Sequence, residues 1–160
     1  VTDFPLFEKD DNGSWQPAHH VFSSPHEEDY ELLNTDPGKV RADLFDLVCN
    51  GVELGSGSIR IHDRKLQEKV FDIIGYSSEE VNNLFGHLLE AFDYGVPPHG
   101  GMGLGLDRLV AMLCNEESIR EVIAFPKTQS ASDLLFGSPD FISDEQLDEL
   151  NILVKEKEEE

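Results

Sequence analysis

An α+β domain organised on an antiparallel sheet is what this sequence predicts, and three observations carry the prediction. Asn50-Gly51 stands between two β-prone runs, "DLFDLVC" and "VELGSGSIRIHD", and that dipeptide favours a two-residue hairpin turn. Two later stretches repeat apolar residues at helical spacing behind their own start or stop signals. Nowhere do strands alternate with crossover helices, which argues against a doubly wound parallel sheet.

The elements follow in order. "VTDFPLFE" alternates loosely and runs into Asn12-Gly13, so a strand followed by a tight turn is expected. "SSPHEEDYELLN" places Ser24 and Pro25 ahead of an acidic first turn, which suits a short helix from about His26 to Leu33. In the Asn50-Gly51 hairpin, Cys49 faces Val52 and Val48 faces Glu53, which makes Asp46 a diagonal neighbour of Glu53 about 7–8 Å away. Leu66, Val70, Ile73 and Ile74 share a helical face that ends at Gly75. Ser77 and Glu80 form a capping box for a second helix carrying Val81, Leu84, Phe85, Leu88, Leu89 and Phe92. After "VPPHGG", the run "MGLGLDRLVAML" changes from strand period to helical period at Asp107. "IREVIAFPK" reads as a short buried strand, "SASDLLFG" as a brief helix, and "SDEQLDEL" as a helix capped by Ser143 with Gln146. One domain over residues 1–154 and a charged, frayed tail at 155–160 complete the organisation.

Composition narrows the function. With 33 acidic against 12 basic residues and a formal net charge of -21, the chain repels polyphosphate backbones, so a basic surface for RNA has to lie elsewhere. Cys49 and Cys114 show no metal-binding spacing and no disulfide framework. No apolar run is long enough to span a bilayer, and the N-terminus lacks signal-peptide character, so a soluble cytoplasmic protein with no membrane partner is expected.

Chemistry concentrates at a few positions. Gly101, Gly103 and Gly105 alternate with Met102, Leu104 and Leu106, so a strand there bares one face to backbone alone. A planar ring or a phosphate can approach such a strip, with Arg108 supplying a fixed positive plane; the competing reading is another element packed on the glycines. Asp46 and Glu53 on one face suit a hard cation such as Mg²⁺, against the competing readings of a solvated strand face or a general acid and base pair. Arg60 offers a bidentate fork for a carboxylate. Strict alternation separates it from Glu53, because the two differ by an odd number of residues, so a bulge or break is expected among Gly55, Ser56 and Gly57. His19 and His20 lack a third ligand for zinc, so a hydrogen-bonding or substrate-contacting role is preferred.

Taken together, "DFPLFE", "AHHVFSSP", "FDLVCNGVELGSGSIRIHD", "YGVPPHGGMGLGLDRL" and "IREVIAFPKT" resemble the bacterial and mitochondrial aspartyl-tRNA synthetases, in order and spacing, over nearly the whole chain. The resemblance implies the class II antiparallel catalytic sheet flanked by helices, with "GMGLGLDR" as motif 3. Arg108 then stacks on adenine and contacts ATP, with Gly105, Leu106 and Asp107 lining the same pocket. Asp46 and Glu53 match the carboxylates holding Mg²⁺ against the phosphates. Arg60 matches the arginine that pairs with the aspartate side chain, and His19 a histidine contacting the amino acid. Arg108 and Glu53 are the catalytic candidates.

The implied activity is ATP-dependent conversion of L-aspartate to aspartyl-adenylate and transfer to tRNA(Asp), by a full-length enzyme that is a homodimer. Ser56 stands where the family usually has glycine, and Val21 where proline is usual. The anticodon-binding barrel, motifs 1 and 2 and the insertion domain have no counterpart in these residues, so weak or no activity is expected of the chain alone. The alternative function is a noncatalytic synthetase-like module that binds adenine nucleotide or a partner chain.

Overall fold

The computed structural model describes residues 1–155; most of the expected tail, residues 156–160, lies outside the described residues. The chain divides into two compact units, Val1–Leu109 and the residues from Val110 onward. All the predicted site residues belong to the first.

That unit is α+β, as the sequence predicts. A small hairpin pairs β1 (Phe7–Lys9) antiparallel with β2 (Trp15–Pro17). Its turn is tied by the Asp10 carboxylate, which accepts from the amides of Asn12 and Ser14, while Gly13 takes a φ of 83°. The expected helix at His26–Leu33 is broken into a 3-10 turn, Glu27–Asp29, and a single turn α1, Leu32–Thr35. The Asp29 side chain is drawn out of local helix capping by a distant partner. It accepts from Arg41 Nε at 2.8 Å, Arg41 Nη2 at 3.0 Å and the Arg41 amide at 2.9 Å, bonds that hold its carboxyl down to about 2.

The main sheet has three antiparallel strands in the order β3 (Leu44–Cys49), β4 (Val52–Ile59), β5 (Gly100–Leu104). Asn50 and Gly51 both take positive φ, 50° and 78°, as a two-residue hairpin turn requires. Cys49 faces Val52 and Val48 faces Glu53 as expected. The irregularity predicted among Gly55, Ser56 and Gly57 is present but earlier. The register shifts between Leu47 and Val48, so that Leu54 is the extra residue and Gly55, Ser56 and Gly57 pair regularly on both sides. The reason is sterics. A Cβ at Gly55 would lie 2.5 Å from the Gly103 carbonyl oxygen, and one at Gly57 2.6 Å from that of Gly101, so both glycines serve close strand packing inside the sheet and not the bulge.

Two helices brace the unit. α2 (Arg64–Ile73) starts where the Asp63 carboxylate accepts from the Leu66 amide, and α3 (Ser78–Asp93) starts with the full Ser77–Glu80 capping box. Gly75 between them has a φ of 91°. Val70 of α2 joins Leu6, Phe7, Val40, Leu44 and Ile61 in one core cluster. Phe71 stacks on Phe85 at 4.8 Å in a second, where burying each ring contributes about 1.5–3 kcal/mol. β5 leads through Gly105 into α4 (Leu106–Leu113).

Two expectations fail in the residues from Val110 onward. "IREVIAFPK" is a 3-10 turn at Ile119–Glu121 followed by bends, with Phe125 exposed, because a strand needs a neighbouring edge to satisfy its backbone and none among the described residues pairs with it. "SASDLLFG" is a turn closed by the bridge Asp133–Ser138. Asp133 accepts from the amides of Leu135 and Phe136, a local bond that competes with helix. The last helix, α5 (Asp144–Glu149), is capped by Ser143 as expected. No helix among the described residues is long and apolar enough to cross a membrane.

Candidate adenylate site

One face of the main sheet collects the predicted residues. On β5, Gly101 and Gly103 pair with Ser58 and Ser56 of β4, and Asp46 of β3 faces Ser56. These positions share a face because paired residues project together and alternate positions repeat. Asp46 was expected opposite Gly55; the Leu54 bulge moves it to Ser56 while leaving Glu53 across from Val48, two places along the same face. The inserted residue also corrects the parity between Glu53 and Arg60, so the two return to one side.

The glycine strip is bare in the middle and guarded at both ends. A Cβ built on Gly101 would meet Arg60 Nη2 at 3.2 Å, one on Gly105 would meet Arg108 Cδ at 3.4 Å, and one on Gly103 would meet only the Ser56 carbonyl oxygen at 4.0 Å. Four residue steps separate Gly101 from Gly105, about 13 Å of strand. Among the described residues no side chain lies within 4 Å of a Cβ built on Gly103, so none of them packs on the strip there. Two guanidinium groups therefore terminate an open backbone shelf.

Each guanidinium is positioned. Arg108 Nη1 donates to the Glu53 backbone carbonyl at 2.7 Å and lies 3.8 Å from the Glu53 carboxylate, so the shelf's cation and its acidic edge are one hydrogen-bonded unit. Gly105 donates its amide to the Leu54 carbonyl at 2.7 Å, which locks the start of α4 to the bulge. Leu106 and Asp107 sit exposed in the first turn of that helix. Arg60 lies between two backbone neighbours, its amide donating to His99 and its other side bridged to Ser23.

Beside Arg60 the structure brings His20, not His19. Arg60 Nη1 contacts His20 Nε2 and donates to Ser58 Oγ at 2.8 Å. His19 is exposed and packs edge-on against Phe4 at 5.0 Å. Sequence alternation shows only that adjacent histidines diverge. The choice between them depends on the long-range pairing of Ser23 with Arg60, for which no local signal exists. Ser58, 1 % exposed, was missed for the same reason, although its place two residues before Arg60 puts it on the arginine's face.

The electrostatics of this corner are unusual. The Phe22 amide donates to His20 Nδ1 at 3.1 Å, which leaves the proton of a neutral imidazole on Nε2. That N–H then faces Ser23 Oγ and Ser58 Oγ, both at 3.4 Å, and the Arg60 guanidinium. Ser58 Oγ, which accepts from Arg60 Nη1, is thus the hydroxyl the imidazole and the guanidinium share. Burial first, then Arg60 and His19, push the imidazole's pKa below its ordinary value. The two groups open onto a hollow of 420 Å³ whose walls include Phe22, Leu88, Phe92 and His99. Two other hollows of similar size, 440 Å³ between α2 and α3 and 460 Å³ around Arg120 and Lys127, contain none of the predicted residues.

Comparison with known proteins fits this geometry. Residues 1–129 match the family described as tRNA synthetases class II (D, K and N). The chain is 52% identical over 160 residues to an aspartate–tRNA(Asp/Asn) ligase of Dehalococcoides mccartyi (strain CBDB1), covering 99% of the chain and 27% of that relative. It is 56% identical over 164 residues to the ligase of the same name from Dictyoglomus turgidum, covering all of the chain and 28% of the relative. Among solved structures, the aspartyl tRNA synthetase from Entamoeba histolytica superposes with a TM-score of 0.57 at 25% identity, over 72% of this chain and 21% of that one. The chain thus spans about a quarter of the length of the curated relatives it matches. A family match over most of its residues, carried by the sheet that bears the shelf and both arginines, makes this chain a member of the class II tRNA synthetases of the D, K and N group.

Proposed function

We propose that this chain supplies one wall of the site in which an aspartate–tRNA ligase joins L-aspartate to ATP. The observation that carries the reading is the placing of Arg60, braced by Ser58 with His20 beside it, at one end of a side-chain-free shelf whose other end is Arg108. A carboxylate accepts from the Arg60 fork and the neighbouring imidazole N–H, and a flat ring lies on bare backbone against the second guanidinium. His20, beside Arg60, is proposed for the amino-acid contact together with His19, which is exposed against Phe4. Arg108 stacks on adenine, with Gly105, Leu106 and Asp107 beside it.

Asp46 and Glu53 suit Mg²⁺ of the phosphate-sharing kind. The described residues contain no group of three or more ligating side chains, and an ion held by one or two carboxylates completes its shell from triphosphate oxygens. Held by Asp46 and Glu53, Mg²⁺ would supply charge compensation for the α-phosphate and the departing pyrophosphate. Arg60 fixes the aspartate side chain so that the α-carboxylate oxygen faces the α-phosphorus in line. A P–O bond forms to aspartate as the bond to pyrophosphate breaks, and the ribose hydroxyl of tRNA(Asp) then displaces AMP from the aspartyl carbonyl. No protein nucleophile enters. The residues position reactants and compensate charge.

The whole enzyme is proposed to act in the cytoplasm as a homodimer. Titration of the chain with aspartyl sulfamoyl adenosine, a stable mimic of the adenylate, tests the site. Binding that weakens about tenfold or more in both Arg60→Gln and Arg108→Ala is expected, and affinity indifferent to both changes overturns the reading. Arg108 is the cation this face brings to ATP and it already faces the Glu53 carboxylate, so aspartate-dependent ATP–pyrophosphate exchange by the chain alone should be slow.

A further inference from the structure

Gln67 lies on α2 and is fully buried. Its Nε2 donates to the Val21 carbonyl at 2.8 Å, while its Oε1 has no partner among the described residues. A buried amide with one atom unsatisfied is a costly choice for a core position that methionine or leucine would fill. The amide cannot simply be turned round, because Oε1 would then face the Val21 oxygen, acceptor against acceptor. Stability alone gives no reason for glutamine here.

The partner peptide supplies one. The carbonyl of Val21 and the amide of Phe22 belong to the same planar unit, and in a trans peptide they point in opposite directions. Gln67 grips one end of that unit; the other end donates to His20 Nδ1 at 3.1 Å. Rotation of the plane would break both bonds together. The flanking Phe22 ring, wedged edge-on against Phe71 at 6.3 Å and Phe85 at 5.6 Å, fixes where the peptide sits but not how its plane is turned.

We propose that Gln67 is a positioning residue that sets the tautomer of His20 through the Val21–Phe22 peptide, so that the proton lies on Nε2, facing Arg60 and the incoming carboxylate. Donation to the Val21 oxygen also polarises the Phe22 N–H and strengthens its bond to Nδ1. The ionisable groups around the imidazole are Arg60, His19 and, across the same hollow, His99. None of them can substitute for the peptide as a donor to Nδ1 without moving the ring. The carboxylate's part in this rests on the aspartate reading above; the tautomer does not.

Nitrogen-15 spectra of the folded chain separate the two, with His20 assigned by the signals lost in His20→Asn. The parent should show His20 as the Nε2–H tautomer and one slowly exchanging Gln67 side-chain amide proton. Gln67→Met keeps the volume and removes the donor. It should move the His20 ring nitrogens toward a tautomer average and weaken the aspartyl sulfamoyl adenosine complex about fivefold, leaving ATP affinity unchanged. Unaltered His20 nitrogen shifts in a folded Gln67→Met overturn the proposal. If that variant does not fold, exchange in the parent decides, since rapid exchange of both Gln67 amide protons overturns it and slow exchange of one supports it. Failure of the parent to bind the mimic removes the aspartate reading and leaves the tautomer measurement standing.

Discussion

Arg60 is fixed by its neighbours in a way an ammonium cannot reproduce. Its Nη1 spends itself on Ser58 and faces His20, while Nη2 reaches over Gly101, so the planar fork points along the shelf. Arg60→Lys keeps the charge and loses the fork, and should weaken the aspartyl-adenylate mimic by roughly 1.5–3 kcal/mol, the worth of hydrogen bonds to a charged group, while ATP binding stays unchanged. Calorimetric titration of both ligands reads this; equal losses for the two would show that Arg60 does not address the amino acid. His20 makes a prediction in pH. Its pKa in the folded chain lies below the ordinary 6.5, so between those values the unfolded chain binds more protons and stability rises with pH. The contribution is full above 6.5 and falls away as pH drops toward the folded value. His20→Asn should abolish that limb of the melting-temperature profile, and a slope that persists in the variant would assign it to other groups. Of these residues, Arg60, Arg108, Glu53 and Asp46 were legible in the sequence as types in a pattern. His20, Ser58 and Gln67 were not, because each gains its role from a partner distant in sequence: the first from Arg60, the second from His20, the third from Val21.

At the scale of elements, glycine has two jobs in one sheet, and they can be told apart by adding a methyl group. In Gly57→Ala the new carbon would sit 2.6 Å from both the Gly101 oxygen and the Phe45 ring, so the strands must spread, at a cost of about 1–3 kcal/mol to folding. Gly103→Ala meets only a carbonyl oxygen at 4.0 Å; its stability should change by no more than about 0.5 kcal/mol. Yet it occupies the shelf where a ring would lie, and ATP affinity should fall about tenfold. Urea unfolding and nucleotide titration of the two variants give the crossed pattern, and a Gly103→Ala that binds ATP normally would free the shelf from any nucleotide role. Local chemistry made these elements readable: Asn50-Gly51 for the hairpin, Ser77 with Glu80 for α3, Gly75 ending α2. The bulge was required by parity between Glu53 and Arg60, but its position at Leu54 depended on which glycines were already committed to close strand contact. Beyond Val110 the apolar runs misled, since "IREVIAFPK" has the composition of a strand without an edge to join, and Asp133 diverts "SASDLLFG" into a turn.

For the molecule as a whole, the net charge of -21 means that any triphosphate must approach against a repulsive field. The shelf answers with Arg108, yet Arg108 is already paired with Glu53, and Asp46 adds a further negative charge on the same face. A divalent ion shared with the phosphates reverses the sign of these carboxylates' contribution, from repelling the nucleotide to holding it through the metal. The sign change is measurable. Glu53→Gln retains the backbone carbonyl that orients Arg108 and removes only the charge. In excess Mg²⁺ it should weaken ATP binding about tenfold, whereas with the metal chelated it should leave binding unchanged or tighten it, because one repulsive charge has gone. Asp46→Asn should follow the same crossing. A carboxylate acting only as a solvated strand residue would give parallel lines, with the same small effect in metal and in chelator, and would remove Mg²⁺ from this face. Parallel losses in both conditions would instead assign Glu53 to the positioning of Arg108, since that pairing needs no metal.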